Sequence, residues 1–406
     1  MRKIFMAAAA ACVLGVAAPA RADIVTDWAE LARVVDADDK SPWSPEGWFA
    51  QTQVALAMFE AANAVDPQYE SYLKLERAPE GGSVEAAVVT AAYEVLSARF
   101  PAAKGEMDGS YQLAMSMVTD KASREIGVEA GKAAATRVLG TGKIPDGVKA
   151  VTYRPRTAPG VWVPVVLPSI RDEMTVMPLW SIESVAAYMP PPPPALTSKV
   201  WARDLNEVKR IGGKEGADRS EVESRIARYR ITPVIIPTLR AIADLPGRTT
   251  VQNARMVALA YMAGDDTGVV TSAAKLHYNF WRPQTAIRNA DEDGNPATEI
   301  DADWQSFIYT PNFPEYPCAH CSYAAATAEV LKQEAGNAPP GGVQVASRSL
   351  DYAAVQVLPT FDDWTKDVSQ SRILGGVHYR FSNDAAEALG KRIAGETLKL
   401  MPPLKE

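Results

Sequence analysis

The 406-residue sequence predicts an all-α protein built as two helical lobes joined by a proline-rich connection. Three observations lead there. Alanine, leucine, glutamate and lysine fill long stretches whose apolar residues recur at helical spacing. Alternating, strand-like runs are scarce. The helical pattern breaks down at length only between about residues 141 and 197, where YRPRTAPGVWVPVVLPS is followed by five consecutive prolines at 190–194.

Residues 1–22, MRKIFMAAAAACVLGVAAPARA, have a basic start (Arg2, Lys3), an alanine-rich apolar middle and a small-residue ending at Ala20-Arg21-Ala22. This is the layout of a secretory signal peptide. Its apolar run is shorter than the ~20 residues a membrane-spanning helix needs. The mature chain is therefore expected to begin near Asp23, to be periplasmic or secreted from a bacterium, and to have no membrane span. Cys12 leaves with the leader. Losing Arg2, Lys3 and Arg21 takes the formal charge from −7 to −10, which argues against nucleic acid as a partner. An anion site must then be a local basic cluster. The oligomeric state is not legible.

The first lobe, 23–140, contains WFAQTQVALAMFEAANAV, a helix predicted to open at Ser44-Pro45 with serine as cap and proline in the first turn. SVEAAVVTAAYEVLSARF, from Ser83, and the segment ending at Leu139-Gly140 are two more helices. In the connection, 141–197, proline is too dense for helix interior, so an extended, polyproline-like path over the surface is expected. A stiff spacer explains it as well as a docking site does. Helical spacing resumes at Ser198 with SKVWARDLNEVKRIGG and runs, interrupted by loops, through the second lobe, 198–406.

After the leader there remain only His277, His320 and His378, and each adjoins a notable cluster. In KLHYNFWRPQTAIR, Lys275 and Arg282 are seven residues apart. Two turns of helix would aim both cations the same way, with Pro283 ending or bending the helix. Taken alone, such a pair is more often a solvated basic edge. In PEYPCAHCSYAAATAEVLK, Pro317 precedes an alanine-rich helix whose first turn would hold Cys318, Ala319 and His320, with unpaired N–H groups facing an anion. The bland alternative is a plain helix start capped by the histidine. In SQSRILGGVHYRFSND, Arg372 and His378 would fall on different helix faces unless Gly375-Gly376 lets the chain turn, and the next helix is expected to be capped by Ser382 or Asn383. Three fixed cations, a turn of backbone donors and two histidines together suit a tetrahedral or trigonal-bipyramidal oxyanion.

These residues carry a resemblance. Lys275-x6-Arg282-Pro283, Pro317-Cys-Ala-His320 and Ser371-Arg372-x5-His378 resemble, in order and spacing, the K-x6-RP, PSGH and SR-x5-H-x3-D signature of the vanadium-dependent haloperoxidase and type 2 phosphatidic acid phosphatase superfamily. ALAMFEAANAVDPQYESYL, PPALTS with ARDLNEVKRIGG, and FWRPQTAIR extend the likeness to the soluble, secreted bacterial haloperoxidase-like branch over most of residues 26–400. The resemblance implies two four-helix-bundle lobes with the oxyanion held in the second. It makes His378 the axial ligand to the vanadium of vanadate, or the nucleophile that takes a phosphoryl group, and His320 the acid/base at the opposite apical oxygen. Lys275, Arg282 and Arg372 would neutralise equatorial oxygens, the Ala319 amide would donate to one, and Phe313 would lie beside the halide.

The implied cofactor is vanadate, with phosphate as competing ligand. The implied reaction is oxidation of halide by hydrogen peroxide. One alternative is an acid phosphatase cleaving phosphomonoesters through a phosphohistidine at His378. A second is a binding or redox module that kept the cage and lost turnover. Three departures bear on the choice. Cys318 stands for a donating serine, Ala319 for glycine, and Ser382 for the aspartate that would orient the imidazole of His378. Among three cations at a helix start a Cys318 thiolate would repel an oxyanion and be readily oxidised. Cys318-Ala-His-Cys321 also resembles the CxxC of disulfide oxidoreductases, so in an oxidising periplasm the pair could close into a disulfide; two reduced thiols are the alternative. Zinc fits poorly, because the histidines are expected in the cage.

Overall fold

The computed structural model describes residues 23–38, 45–142, 156–164, 172–231, 233–349 and 355–405. The leader at 1–22, the capping Ser44 and parts of the 141–197 connection lie outside these.

Among the described residues the first half has five α-helices: α1 (Ile24–Asp38), α2 (Pro45–Val65), α3 (Val84–Arg99), α4 (Lys104–Ser116) and α5 (Lys121–Leu139). Ser83 caps α3 by accepting from the Ala86 amide at 3.1 Å. The second half begins with α6 (Lys199–Ile211), capped by Ser198, then α7 (Glu221–Tyr229), strand β1 (Pro233–Val234), α8 (Ile236–Ala243), α9 (Thr250–Tyr278) and α10 (Pro283–Arg288). It continues with α11 (Ala319–Ala335), β2 (Val343–Ser347), β3 (Gln356–Leu358), α12 (Phe361–Leu374) and α13 (Arg380–Thr397). The three short strands form one antiparallel sheet in the order β1-β2-β3. The sequence reading left it out, because strands of two to five residues give almost no periodicity.

Helices α2, α3 and α5 pack together in the first half, and α9, α11, α12 and α13 in the second. The halves share their largest core, while a second, aromatic-rich cluster around Trp201 and Trp281 belongs to the second half alone. Helix α2 lies along α9, and one apolar cluster runs from Val25 through Met58 and Val257 to Met401. Small residues set the closest crossing in the second half: a Cβ on Gly390 of α13 would sit 2.2 Å from the Ser322 carbonyl oxygen of α11. That crossing presents the start of α11 to the loop preceding α13.

The connection is more than a surface spacer. Trp162 and Trp180 are buried in it. Asp266 of α9 accepts from the Trp180 amide at 2.8 Å and the Ser181 amide at 2.7 Å, while the Trp180 indole donates to Asp265 at 3.1 Å. Farther on, Tyr278 and Tyr316 donate to the Pro190 and Pro191 carbonyls, each at 2.6 Å. Polyproline leaves its carbonyls unpaired, and here tyrosines flanking two of the motifs take them up.

Candidate active site

Lys275 sits in the last turn of α9, but Arg282 does not continue that helix. Asn279 turns the chain in the left-handed region (φ 45°, ψ 44°), and Arg282 is the extended residue just before α10, with Pro283 at its first position. The seven-residue spacing therefore works through a turn, not through two turns of one helix, and the expectation of a shared helix face is corrected. Asparagine tolerates this conformation at a helix end because its short polar side chain makes the cost low.

Both cations are buried and both donate into the 313–317 loop. Lys275 Nζ donates to the Pro314 carbonyl at 3.1 Å, the Glu315 carbonyl at 2.6 Å and the Pro317 carbonyl. Arg282 Nε donates to the Phe313 carbonyl at 3.0 Å, and its Nη1 to the Val377 carbonyl at 2.8 Å. The Phe313 ring lies under both, with Nζ 5.2 Å and the guanidinium carbon 4.8 Å from its centroid. That is cation–π range.

Cys318 is the cap residue of α11, with Ala319 and His320 opening the helix. The cap is the sulfur, not the histidine: Cys318 Sγ accepts from the Cys321 amide at 3.2 Å. The two cysteines, fully buried, are joined as a disulfide with an S–S distance of 2.18 Å. A disulfide sulfur carries no proton, so the Cys318 side chain has nothing to donate to an oxyanion. His320 Nε2 lies 3.0 Å from the Ile231 carbonyl. Burial, then the charge of Arg372, push this imidazole well below its ordinary range.

Arg372 ends α12 and its Nη1 donates to the Arg230 carbonyl at 2.9 Å, while its Nε, also buried, has no acceptor. Gly376 then turns the chain at φ 74°, so that Val377 and His378 come back toward Arg282. No side chain fits there, since a Cβ on Gly376 would lie 2.2 Å from the Gly212 carbonyl oxygen. Helix α13 starts at Arg380 with no side-chain cap, so Ser382 and Asn383 lie inside its first turn and do not cap it. Its start is clamped instead from α6, where Glu207 takes both arms of Arg380 at 2.8 and 2.5 Å and Asp204 accepts from the Phe381 amide at 2.8 Å.

The imidazole of His378 is the meeting point. Arg282 Nη1 lies 3.0 Å from its Nε2, and the Glu315 carboxylate lies 2.6 Å from its Nδ1. Its pKa is held well below the ordinary value, first by burial, then by Arg282, Lys275, Arg372 and His320. Sequence reading missed Glu315, which lies within PEYPCAHCSY but has no distinguishing pattern of its own. Its complete burial is the signal, and only tertiary structure supplies that. Burial pushes this carboxyl up to about 7, against the pull of Lys275 and Arg282. The two guanidiniums are lowered by burial, Arg282 to about 10 and Arg372 to about 9, and remain charged at neutral pH. Lys275 is lowered well below its ordinary value, by burial and then by Arg282. His277 has its ring against Tyr278, 4.8 Å between centroids, and takes no part in the cluster.

Three side chains that are cationic in their charged forms and one carboxylate thus surround two imidazoles. Buried charge of one sign is costly unless compensated, and Arg372 Nε is a buried donor without an acceptor. Both features fit an anion with several acceptor oxygens. Phe313, Ala319 and His320 keep partial exposure while Lys275, Arg282, Glu315, Arg372 and His378 are buried, so the approach is from the first turn of α11. Among the described residues no cluster of histidine, cysteine and carboxylate ligands suits a bare metal ion.

Residues 255–404 match the family model of the VCPO second helical-bundle domain, which contains all these motifs. No curated protein matches the sequence. Among solved structures, that of the first bacterial vanadium-dependent iodoperoxidase aligns with a TM-score of 0.76 at 20% identity, over 95% of this chain and 97% of that one. A holo bacterial vanadium-dependent chloroperoxidase aligns with a TM-score of 0.66 at 16% identity, over 89% of this chain and 94% of that one. The apo form of a bacterial vanadium-dependent chloroperoxidase gives 0.65 at 16%, over 87% and 92%. Residues 255–404 are thus similar to the second helical-bundle domain of that family, and the fold over most of the chain is the one these bacterial vanadium-dependent haloperoxidases share.

Proposed function

We propose that the protein is a vanadium-dependent haloperoxidase-like enzyme that binds vanadate in the cage of Lys275, Arg282, Arg372, His320 and His378 and oxidises halide with hydrogen peroxide. The observation that carries this reading is the convergence of those five side chains on one site, with a buried Arg372 donor left for a ligand oxygen. Bound vanadate would supply Lewis-acid activation of peroxide toward halide. The chain's own residues do the rest. His378 presents the Nε2 lone pair, since its Nδ1 is held by Glu315. Lys275, Arg282 and Arg372 balance the ligand's negative charge, and the Ala319 amide at the helix start adds a donor. His320, kept neutral by its surroundings, could accept a proton from a bound group and return it. Phe313 gives the approach an apolar wall.

The disulfide favours vanadate over a thiol-sensitive alternative. A bonded Cys318 is neither a thiolate that repels the anion nor a thiol that peroxide would oxidise, which removes the main objection that the sequence raised. It also supports export to an oxidising compartment, and with it the reading of residues 1–22 as a signal peptide. Among the described residues no helix is long and apolar enough to cross a membrane.

A phosphatase is the second reading, because a neutral imidazole oriented by a carboxylate is equally a nucleophile for a phosphomonoester. One experiment separates them. The haloperoxidase brominates a phenol dye only with added vanadate, and phosphate competes. The phosphatase turns over p-nitrophenyl phosphate and is inhibited by vanadate. If neither occurs, and calorimetry shows no vanadate binding that His378→Ala abolishes, the enzyme reading is wrong.

A further inference from the structure

We propose that Glu315 is the positioning residue of His378, taking from the 313–317 loop the part that position 382 of α13 would have played. The inference rests on the reading above, that an oxyanion is bound at His378 Nε2.

Two contacts fix the imidazole. Arg282 can only donate, so Nε2, 3.0 Å from its Nη1, must carry the lone pair. The proton is then on Nδ1, and Glu315 Oε1, 2.6 Å away, accepts it. The reverse tautomer would set an Nε2 hydrogen against a guanidinium hydrogen. The pairing of an arginine on one nitrogen with a carboxylate on the other thus leaves a single state, with the Nε2 lone pair directed toward the cations.

The carboxylate is itself held in place. The same Oε1 accepts from the Tyr379 amide at 3.3 Å, and the Glu315 amide donates to the Phe280 carbonyl at 2.8 Å. The buried Ser382 hydroxyl lies beside this carboxyl and has no other partner. Serine at 382 carries no charge to pair with the imidazole, and a carboxylate at both 315 and 382 would bury two like charges together, which is costly. In this chain the carboxylate on the imidazole comes from the loop. The consequence is that a single five-residue segment organises most of the cage. Its backbone carbonyls at 313, 314, 315 and 317 aim Lys275 and Arg282, and its one charged side chain aims His378.

The test uses the full mature chain and two readouts that a merely structural role would not move. With only three histidines after the leader, nitrogen-15 spectra of histidine-labelled protein resolve the tautomer of His378 without any ligand. Vanadate affinity is measured by calorimetry in parallel. In wild type, Nδ1 is expected to be protonated and Nε2 to carry no proton. Glu315→Gln, whose amide oxygen can still accept but carries no charge, is expected to keep the tautomer that Arg282 imposes, to move the Nδ1 signal away from that of a hydrogen bond to a carboxylate, and to bind vanadate at least tenfold more weakly. Adding Ser382→Asp to Glu315→Gln is expected to bring both back toward wild type. The proposal is overturned if Glu315→Gln leaves the Nδ1 signal unchanged and stays within twofold in affinity, or if the double variant recovers neither. Absence of vanadate binding by wild type would instead defeat the functional reading, while the Nδ1 signal, read without any ligand, would still decide the role of Glu315.

Discussion

Arg372→Lys separates charge from geometry at the proposed oxyanion site. Lysine keeps the positive charge but loses the fork, and with it the Nε hydrogen that is buried without an acceptor. If that hydrogen is reserved for a ligand oxygen, its removal deletes one charge-assisted hydrogen bond, about 1.5–3 kcal/mol. At about 1.4 kcal/mol per tenfold, vanadate should bind roughly ten- to a hundredfold more weakly. Little of this should appear in the ligand-free protein. There the substitution removes one visible bond, from Nη1 to the Arg230 carbonyl, of about 1 kcal/mol. Calorimetric titration with vanadate at fixed pH and ionic strength gives the first number, and thermal melting with and without vanadate gives the second. A Kd within twofold of wild type in a protein that melts normally would refute the assignment of Arg372 Nε to the ligand.

Further predictions concern the parts of the fold that hold the site. Gly376→Ala puts a methyl 2.2 Å from the Gly212 carbonyl oxygen at a positive φ, so a loss above about 2 kcal/mol is expected by denaturant melts; Gly395→Ala, whose Cβ would meet nothing, is the matched control. Phenylalanine at both Tyr278 and Tyr316 removes the bonds that hold the polyproline carbonyls and should cost about 1 kcal/mol for each. The loss should appear as faster hydrogen exchange in residues 180–198. Burial raises Asp265 from 3.8 to about 8, so its contribution to stability is complete below about pH 4 and is lost as pH rises through 8. Asp265→Asn, which cannot ionise, should therefore gain in Tm over wild type as pH goes from 5 to 9. A pH-independent difference would show that Asp265 does not ionise in this range.

Much of the site was legible because the motifs are local. Lys275, Arg282, Cys318, Ala319, His320, Arg372 and His378 lie in three short motifs whose order and spacing carry the family resemblance, and the glycine turn before His378 could be read from chain geometry. What escaped was either long-range or featureless. Glu315 is one acidic residue among 49 in sequence and becomes singular only when burial sets it on Nδ1 of His378. Asp204 and Glu207 look like the polar face of an ordinary amphipathic helix until α6 is docked against the start of α13. Lys275 and Arg282 were placed correctly as a pair for the wrong local reason, since the left-handed turn at Asn279 has no periodicity to betray it.

By itself the sequence determined the helical class, through apolar periodicity and serine caps, and the inventory of charges able to hold an oxyanion, through three short motifs. Tertiary structure decided which carboxylate serves His378 and whether the two helical halves share a core. It also decided that two buried tryptophans and two tyrosine hydroxyls hold the proline-rich connection to the helices. The physical reason is range. Helix propensity, capping and turn chemistry act over a few residues and are written in neighbouring letters. Burial, which makes a carboxylate a partner and an unpaired guanidinium hydrogen a site, depends on residues 60 or more positions apart, such as Glu315 and His378.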